Sequence, residues 1–312
     1  MPLHPEAETY LKMVEDWRRE NNIPSYREMG APKSRRLVRA AILEMRPPLP
    51  DMAVENRQFH ARSGPLDVRI IRPHDTGDEP LPTVLYFHGG GYVLGGIDDS
   101  AHEAYRLAER TPAVVFSADY RKGPEAPFPA AVEDGYDALL WVFGNAHRFG
   151  GDKNRLLVGG CSAGGGLAAA VSRFAAVSRG PKIALTYLLC PFLDMTLTEP
   201  SVKAFAQGYG LDRDELDWMV ECYMGNGDRR DPLASPALSP PPPNLPDTAI
   251  LAAECDPLHG EAKHYAERLS DAGIPTSFHE APGMIHAFNV LLHFIPAGER
   301  ELGPIEAAMR RV

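Results

Sequence analysis

Short apolar runs alternate with longer amphipathic segments along most of the chain. The runs predict strands at Leu66–Ile71, Thr83–Phe87, Ala113–Ser117, Leu156–Gly159, Ile183–Leu189, Ala249–Ala253 and Thr276–Glu280. Separate short runs of Val, Leu and Ile are typical of strands that are buried on both faces, as in a parallel sheet covered by helices. The pattern therefore predicts an α/β fold with a mostly parallel central sheet flanked by helices.

Apolar residues spaced three and four apart predict the covering helices. The clearest segments are Ala130–Phe143, Ala163–Ala176, Asp212–Met224 and Gly260–Ala272. A helical pattern with a Pro/Gly break also covers Pro5–Met45, so we expect residues 1–50 to be an appended helical segment and residues 51–312 to form the main domain. Residues 191–247 contain four consecutive prolines and no strand signal. We interpret them as an excursion over the sheet edge.

The composition of the chain limits the kinds of molecule that we expect it to bind. The chain has 312 residues, with 32 basic against 42 acidic residues and a formal charge of −10, which disfavours nucleic acid and anionic membrane surfaces. The first 22 residues lack the apolar region of a signal peptide, and no run is long enough for stable membrane insertion. We expect a cytoplasmic protein with a small-molecule partner, and a homodimer is left open.

The four cysteines show no zinc-site spacing, which predicts reduced thiols and no metal.

The segment Gly160–Gly164 fits the pattern G-x-S-x-G. It follows the predicted strand Leu156–Gly159 and precedes an Ala-rich helix, which is the context that this motif requires. Glycines permit a sharp strand-to-helix turn, and the turn lifts the hydroxyl of Ser162 above the carboxyl edge of the sheet. The sequence therefore predicts Ser162 as a nucleophile, and the alternative is a plain Gly-rich turn.

Three consecutive glycines, Gly89, Gly90 and Gly91, follow His88 and the strand Thr83–Phe87. Glycine leaves its backbone N–H free to approach a ligand oxygen, so these groups, together with the N–H of Ala163, predict an oxyanion hole. Taken alone, a glycine run is more often a plain loop. We expect His88 to order this loop by hydrogen bonding and not to transfer protons.

A serine hydroxyl needs a neighbouring base because it is barely ionised at neutral pH. His286 lies near the end of the chain, after the strand Thr276–Glu280 and a predicted turn at Pro282-Gly283, where the order Ser, Asp, His places the base. His279 is the alternative base, although it lies inside that strand.

Asp256 is the predicted partner of His286. It follows the strand Ala249–Ala253, so its carboxylate emerges at the same sheet edge and can hold the second imidazole nitrogen. Asp194, which follows the preceding strand, is the alternative acid.

Several motifs in this order resemble those of the bacterial hormone-sensitive lipase family (family IV) of esterases. They are His88–Gly91, Asp119-Tyr120-Arg121 with Pro124 and Pro127–Ala130, Gly160–Gly166, Asp256-Pro257-Leu258 and Gly283–Phe288. The resemblance implies an α/β-hydrolase fold in which residues 1–50 and 191–247 form a helical cap. It also implies a serine carboxylesterase that hydrolyses small-molecule esters of short to medium acyl chains and needs no cofactor. An acyltransferase, a lyase or a non-catalytic receptor on the same scaffold is the alternative, and the presence of all three triad residues argues against the receptor.

This chain departs from the family pattern at two places. Cys161 precedes the nucleophile where the family usually has Asp, and His259-Gly260-Glu261 stands where Arg-Asp-Glu is common. Cys161, Cys190 and Cys255 each end a predicted strand near the nucleophile. This placement leads to the hypothesis that thiol-modifying reagents inhibit the protein.

Overall fold

The computed structural model describes residues 2–74, 76–77 and 79–312. Within them one sheet contains eight strands: β1 (Ala53–Ala61), β2 (Gly64–Arg72), β3 (Leu81–Phe87), β4 (Val114–Ala118), β5 (Gly151–Cys161), β6 (Leu185–Leu189), β7 (Asp247–Cys255) and β8 (Thr276–Ile285). Their order across the sheet is β1-β2-β4-β3-β5-β6-β7-β8. The pairs from β4 to β8 are parallel, and β2 pairs antiparallel with both β1 and β4. The prediction of a mostly parallel sheet is confirmed.

Helices cover both faces of this sheet. In the described residues they are α1 (Pro5–Glu20), α2 (Tyr26–Met29), α3 (Ala31–Met45), α4 (Ala101–Arg110), α5 (Ala130–Asn145), α6 (Ala163–Ser178), α7 (Pro200–Ala204), α8 (Arg213–Met224), α9 (His259–Asp271) and α10 (Gly303–Met309), besides short 3₁₀ turns. None of these helices combines the length and the hydrophobicity needed to cross a bilayer.

Alternate residues of the central strands enter two separate hydrophobic cores. Leu85 and Phe87 of β3 belong to a core that also holds residues of α5, α6 and α9. Val84 and Tyr86 belong to the opposite core, together with residues of α4 and α10. Because both faces of each central strand are buried, the strands are apolar throughout, which is why short continuous runs identified them.

Two strands differ from the sequence prediction. β1 was not predicted, because it is an edge strand in which Phe59 is the one buried residue and polar side chains dominate the rest. β8 extends to Ile285, so the predicted turn at Pro282-Gly283 is wrong: both residues lie within the strand, where Gly283 takes a φ of 65°. His286 therefore follows β8 directly.

The N-terminal helices pack against the segment between β6 and β7. Arg18 of α1 contacts Glu215 of α8 at 3.1 Å. Arg27 of α2 makes a bidentate contact with Glu221 of α8, with distances of 2.6 and 3.0 Å. Residues 191–246 contain no strand in the structure, as interpreted from the sequence, and β7 begins at Asp247.

The side chain of Asp134 ties the loop after β4 to α5. Its carboxylate accepts hydrogen bonds from the backbone N–H of Arg121 at 2.9 Å and from the Arg121 guanidinium at 2.8 Å. It also accepts one from the Ser63 hydroxyl at 2.8 Å. Asp134 is buried and Arg121 is one-third exposed, so Arg121 neutralises a charge that cannot reach water.

Replacing Arg121 with alanine is expected to lower the free energy of unfolding by about 2 to 4 kcal/mol, since it leaves a buried carboxylate unpaired. Arg57→Ala is the matched control, because the Arg57–Glu55 pair is half exposed on both sides and should contribute about 0 to 1 kcal/mol. Urea unfolding of both variants measures the difference. Equal losses in the two variants would contradict this account of Asp134.

Candidate active site

Ser162 stands at the turn between β5 and α6 with φ of 56° and ψ of −121°. A non-glycine residue in this region costs about 1 to 3 kcal/mol, so neighbouring structure must hold it there. The Ser162 N–H donates to the Leu189 carbonyl at 2.8 Å, and the Ser162 carbonyl accepts from the N–H groups of Phe192 and Gly166, both at 3.0 Å. The end of β6 and the loop after it thus fix the strained turn.

The imidazole of His286 lies between Ser162 and Asp256. Its Nε2 is 2.9 Å from the Ser162 Oγ, and its Nδ1 is 2.7 Å from the Asp256 Oδ2. An ionised carboxylate only accepts, so Nδ1 carries the hydrogen and Nε2 accepts from the Ser162 hydroxyl. The other oxygen of Asp256 accepts from the Leu258 N–H at 2.8 Å. This geometry allows His286 to take the serine proton.

The two alternative residues from the sequence have other partners. His279 Nε2 lies 2.9 Å from the carboxylate of Glu301. The Asp194 Oδ1 accepts from the N–H and the hydroxyl of Thr196, at 2.7 and 2.6 Å. The structure therefore brings together Ser162, His286 and Asp256, and it does not bring His279 or Asp194 to the serine.

The glycine loop after β3 lies beside the nucleophile. A Cβ added at Gly89 would be 3.5 Å from the Ser162 Cβ. Gly90 and Gly91 have φ values of 116° and 61°, and neither N–H donates to another backbone carbonyl among the residues described. Ala163 is the first residue of α6, so its N–H has no acceptor within the helix. These N–H groups are therefore available as donors to an oxyanion beside Ser162.

His88 connects this loop to the chain after β4. Its Nδ1 lies 2.7 Å from the Gly89 carbonyl and its Nε2 lies 3.0 Å from the Asp119 Oδ1. The Lys122 ammonium donates to the same Asp119 oxygen at 2.6 Å. Burial alone would raise the pKa of Asp119, but His88 and Lys122 hold that pKa well below its usual range. The contacts support the prediction that His88 orders the loop.

All four cysteines are free, and the three near the nucleophile are buried. Burial raises the pKa of the thiols of Cys161, Cys190 and Cys255. Alkylating reagents attack the accessible thiolate, so burial and a raised pKa both argue against the proposed inhibition through these residues. No group of three or more His, Cys, Asp or Glu is arranged to hold a metal ion in the described parts of the chain.

A cleft of about 490 Å³ opens elsewhere on the surface, between α3, β1, β2 and the loop before α4. Its charged lining includes Arg39 and Arg69, which both pair with Asp98. None of Ser162, Asp256 and His286 lines it, so we place the chemistry at the triad and not in this cleft.

Sequence reasoning missed two side chains at this site. The thioether of Met219, on α8, lies against Gly91, where an added Cβ would be 2.1 Å from its sulfur. Asn289 contacts the Cys161 thiol beneath the turn, with a distance of 3.4 Å. Both contacts join segments that are distant in sequence, and neither residue belongs to a local motif that signals its role.

Comparison with known proteins gives one family. A family model described as the alpha/beta hydrolase fold matches residues 84–290. Ethyl acetate hydrolase of Pseudomonas putida is 32% identical over 100% of this chain and 99% of its own length. Carboxylesterase NlhH of Mycobacterium tuberculosis is 34% identical over 88% of each chain.

Solved structures agree with this result over the whole chain. An ester hydrolase from the metagenome of Lake Arreo, complexed with a bipyridine phosphonate derivative, has a TM-score of 0.94 at 34% identity, covering 99% of this chain and 98% of that chain. A hyperthermophilic esterase from the archaeon Pyrobaculum calidifontis has a TM-score of 0.89 at 31% identity, covering 100% and 99%.

Replacing Asp256 with asparagine is expected to lower kcat for short p-nitrophenyl esters by about 10³- to 10⁴-fold, because the amide no longer fixes the imidazole tautomer. Asp194→Asn is the control: the same change at the alternative acid should alter kcat by less than about 3-fold. Steady-state kinetics on both variants decides between the two acids. A larger loss in the Asp194 variant would exclude our assignment.

Proposed function

Because the chain belongs to the hormone-sensitive lipase family of the α/β-hydrolase superfamily, we propose that it hydrolyses carboxylic esters of small molecules through an acyl-enzyme on Ser162. It is a carboxylic ester hydrolase by its relatives, which include an ethyl acetate hydrolase, a carboxylesterase and an arylesterase. The observation that carries the serine mechanism is the 2.9 Å contact between His286 Nε2 and the Ser162 Oγ.

In the first half of the proposed reaction, the Ser162 Oγ attacks the ester carbonyl while His286 Nε2 takes the hydroxyl proton. The N–H groups of the loop Gly89–Gly91 and of Ala163 stabilise the oxyanion of the tetrahedral intermediate. Asp256 stabilises the imidazolium that forms. The intermediate then collapses: the bond to the alkoxide breaks, and the alcohol leaves with the proton from His286.

In the second half, His286 removes a proton from water as the water oxygen attacks the acyl carbonyl of the ester on Ser162. The second tetrahedral intermediate expels the serine oxygen, which recovers its proton from His286. The products are the carboxylic acid and the free enzyme, and every proton transfer passes through one imidazole nitrogen.

We also propose that residues 1–50 and 191–247 form a cap over this site. The contacts of Arg18 with Glu215 and of Arg27 with Glu221 support it, and so does the position of Met219 against Gly91. Coverage of the donor loop by a Met side chain limits the space beside the acyl group, which favours short to medium acyl chains. A cytoplasmic location and the absence of nucleic-acid partners stay predictions from the sequence, which leaves a homodimer open.

The Ser162→Ala variant should lose activity toward p-nitrophenyl acetate and butyrate by at least about 10⁵-fold, since no other nucleophile replaces the hydroxyl. Labelling by a fluorophosphonate probe, followed by mass spectrometry, should modify Ser162 in the wild-type protein and leave the variant unmodified. Hydrolysis by Ser162→Ala at the wild-type rate, or a wild-type protein that resists the probe, would refute the proposal.

Met219→Ala is expected to raise the ratio of kcat/KM for the hexanoate ester to that for the acetate ester by about 10-fold, because it opens space for additional methylenes. Met224→Ala, on the same helix, is the control: Met224 is also buried but lies in the core that includes α5 and α6. It should lower stability and leave the ratio unchanged. A parallel change of the ratio in both variants would show that Met219 does not limit chain length.

A further inference from the structure

Four buried polar side chains form a connected set beneath the nucleophile turn. The Tyr86 hydroxyl donates to one oxygen of Glu103 at 2.6 Å, and the Asn289 amide N–H donates to the other at 2.8 Å. The Asn289 carbonyl oxygen accepts from the Cys161 thiol at 3.4 Å. All four side chains are buried. None of them takes part in the proton transfers described above.

Each member lies next to a different part of the catalytic apparatus. Tyr86 is in β3, two residues before His88, and Cys161 immediately precedes Ser162. Asn289 comes three residues after His286, in the turn that follows it. Glu103, on α4, joins Tyr86 to Asn289. The set therefore connects the strand before the donor loop, the nucleophile turn and the histidine loop.

The hydrogen bonds of this set give the Asn289 amide a defined orientation. The Cys161 thiol donates and a Glu103 oxygen accepts, so the Asn289 amide presents its oxygen to Cys161 and its nitrogen to Glu103. An aspartate at position 161 would present an acceptor to that amide oxygen instead. Cys161, which departs from the family pattern, thus supplies the donor that the Asn289 carbonyl oxygen accepts from in this chain. A fully satisfied buried set of this kind fixes the positions of its members.

The histidine loop has two buried polar anchors. His286 itself is held by Asp256 through the imidazole, at 2.7 Å. The loop then turns through Ala287, which has a φ of 53°, and reaches Asn289, which is bonded to Glu103 and Cys161. Loss of the second anchor leaves the loop held by the imidazole contacts and by the packing of the buried Phe288 side chain.

We propose that Asn289, held by Glu103, is a positioning residue that fixes the His286 loop against the nucleophile turn. The proposal rests on the proposed function of Ser162 and His286. It adds Asn289 and Glu103 as the residues that keep these two side chains in the correct relative position. Reactive groups misplaced by about 1 Å lose about 10²-fold in rate, so a loosened loop is expected to affect kcat. Substrate binding, which uses other surfaces, should change little.

The test replaces Asn289 with leucine, which keeps the branched shape and the number of heavy atoms and removes both hydrogen bonds. For p-nitrophenyl acetate, kcat should fall by about 10- to 100-fold, while KM changes by less than about 3-fold. The second-order rate of fluorophosphonate labelling should fall by the same factor as kcat. Thr186→Val is the control, since it removes an equally buried hydrogen bond, 2.8 Å long, between Thr186 and Ser172. It should lower the Tm without changing kcat.

If Asn289→Leu fails to fold, a second pair of variants, at Glu103, tests the same positioning role. Glu103→Gln can accept from the Asn289 amide N–H through its carbonyl oxygen and donate its own N–H to the Tyr86 hydroxyl oxygen, so it should keep kcat within about 3-fold of the wild-type value. Glu103→Met cannot pair and should lose activity as Asn289→Leu does. The double variant Asn289→Leu with Glu103→Met should be no slower than the slower single variant, because the two substitutions remove the same anchor of the loop.

Two results separate this proposal from the function on which it rests. A wild-type protein that is labelled normally, together with an Asn289→Leu protein of lower Tm but unchanged kcat and labelling rate, overturns the positioning role alone. So does an equal loss of activity in Glu103→Gln and Glu103→Met. A wild-type protein that is neither active nor labelled overturns the serine mechanism, and the positioning role with it.

Discussion

The strained backbone of Ser162 is the constraint on which the catalytic arrangement depends. Its conformation costs about 1 to 3 kcal/mol, and three backbone hydrogen bonds, to Leu189, Phe192 and Gly166, hold it. Net contributions of about 0.5 to 1.5 kcal/mol for each bond are enough to offset that strain. Two of these partners belong to β6 or the loop after it. The reactive position of the hydroxyl is therefore a property of the assembled sheet and not of the short motif around it.

The sheet order explains how residues distant in sequence meet. β3, β5, β6, β7 and β8 are consecutive neighbours and run parallel, so their carboxyl ends share one edge. β3 leads into the donor loop, β5 into Ser162, β7 into Asp256 and β8 into His286. β6 contributes no triad residue; β6 and the loop after it instead supply two of the three backbone partners of Ser162. One strand thus supports the nucleophile while its neighbours supply the reacting groups.

The sequence predicted those parts whose physical cause is local. Buried strands are apolar on both faces, and the turn at Ser162 needs small neighbours, so the central strands, the triad and the donor loop were all recognisable. β1 was not predicted because an exposed edge strand has no apolar run to identify it. The end of β8 was misjudged because Pro282-Gly283 normally signals a turn, whereas pairing with β7 resumes at Cys255 and Ile285 after an irregularity. Met219 and Asn289 make contacts that form only when distant helices and loops pack, and no local pattern encodes these contacts.

Several carboxylates lie near the nucleophile turn, and their charge affects the stability of the oxyanion that forms in the reaction. An oxyanion is destabilised by nearby negative charge, and the effect is strongest where water is excluded. Burial raises the pKa of Glu103 to about 7, against the opposing effects of Tyr86, Arg106 and Asn289. Burial likewise raises the pKa of Glu261 well above its usual range, although N–H groups of the loop after β6 donate to it. Asp119 stays charged but is paired with Lys122 and His88. Burial thus raises the pKa of Glu103 and Glu261, cations pair with Asp119, and Asp256 faces the imidazole that becomes positive. Each of these arrangements reduces the unpaired negative charge that would oppose the oxyanion.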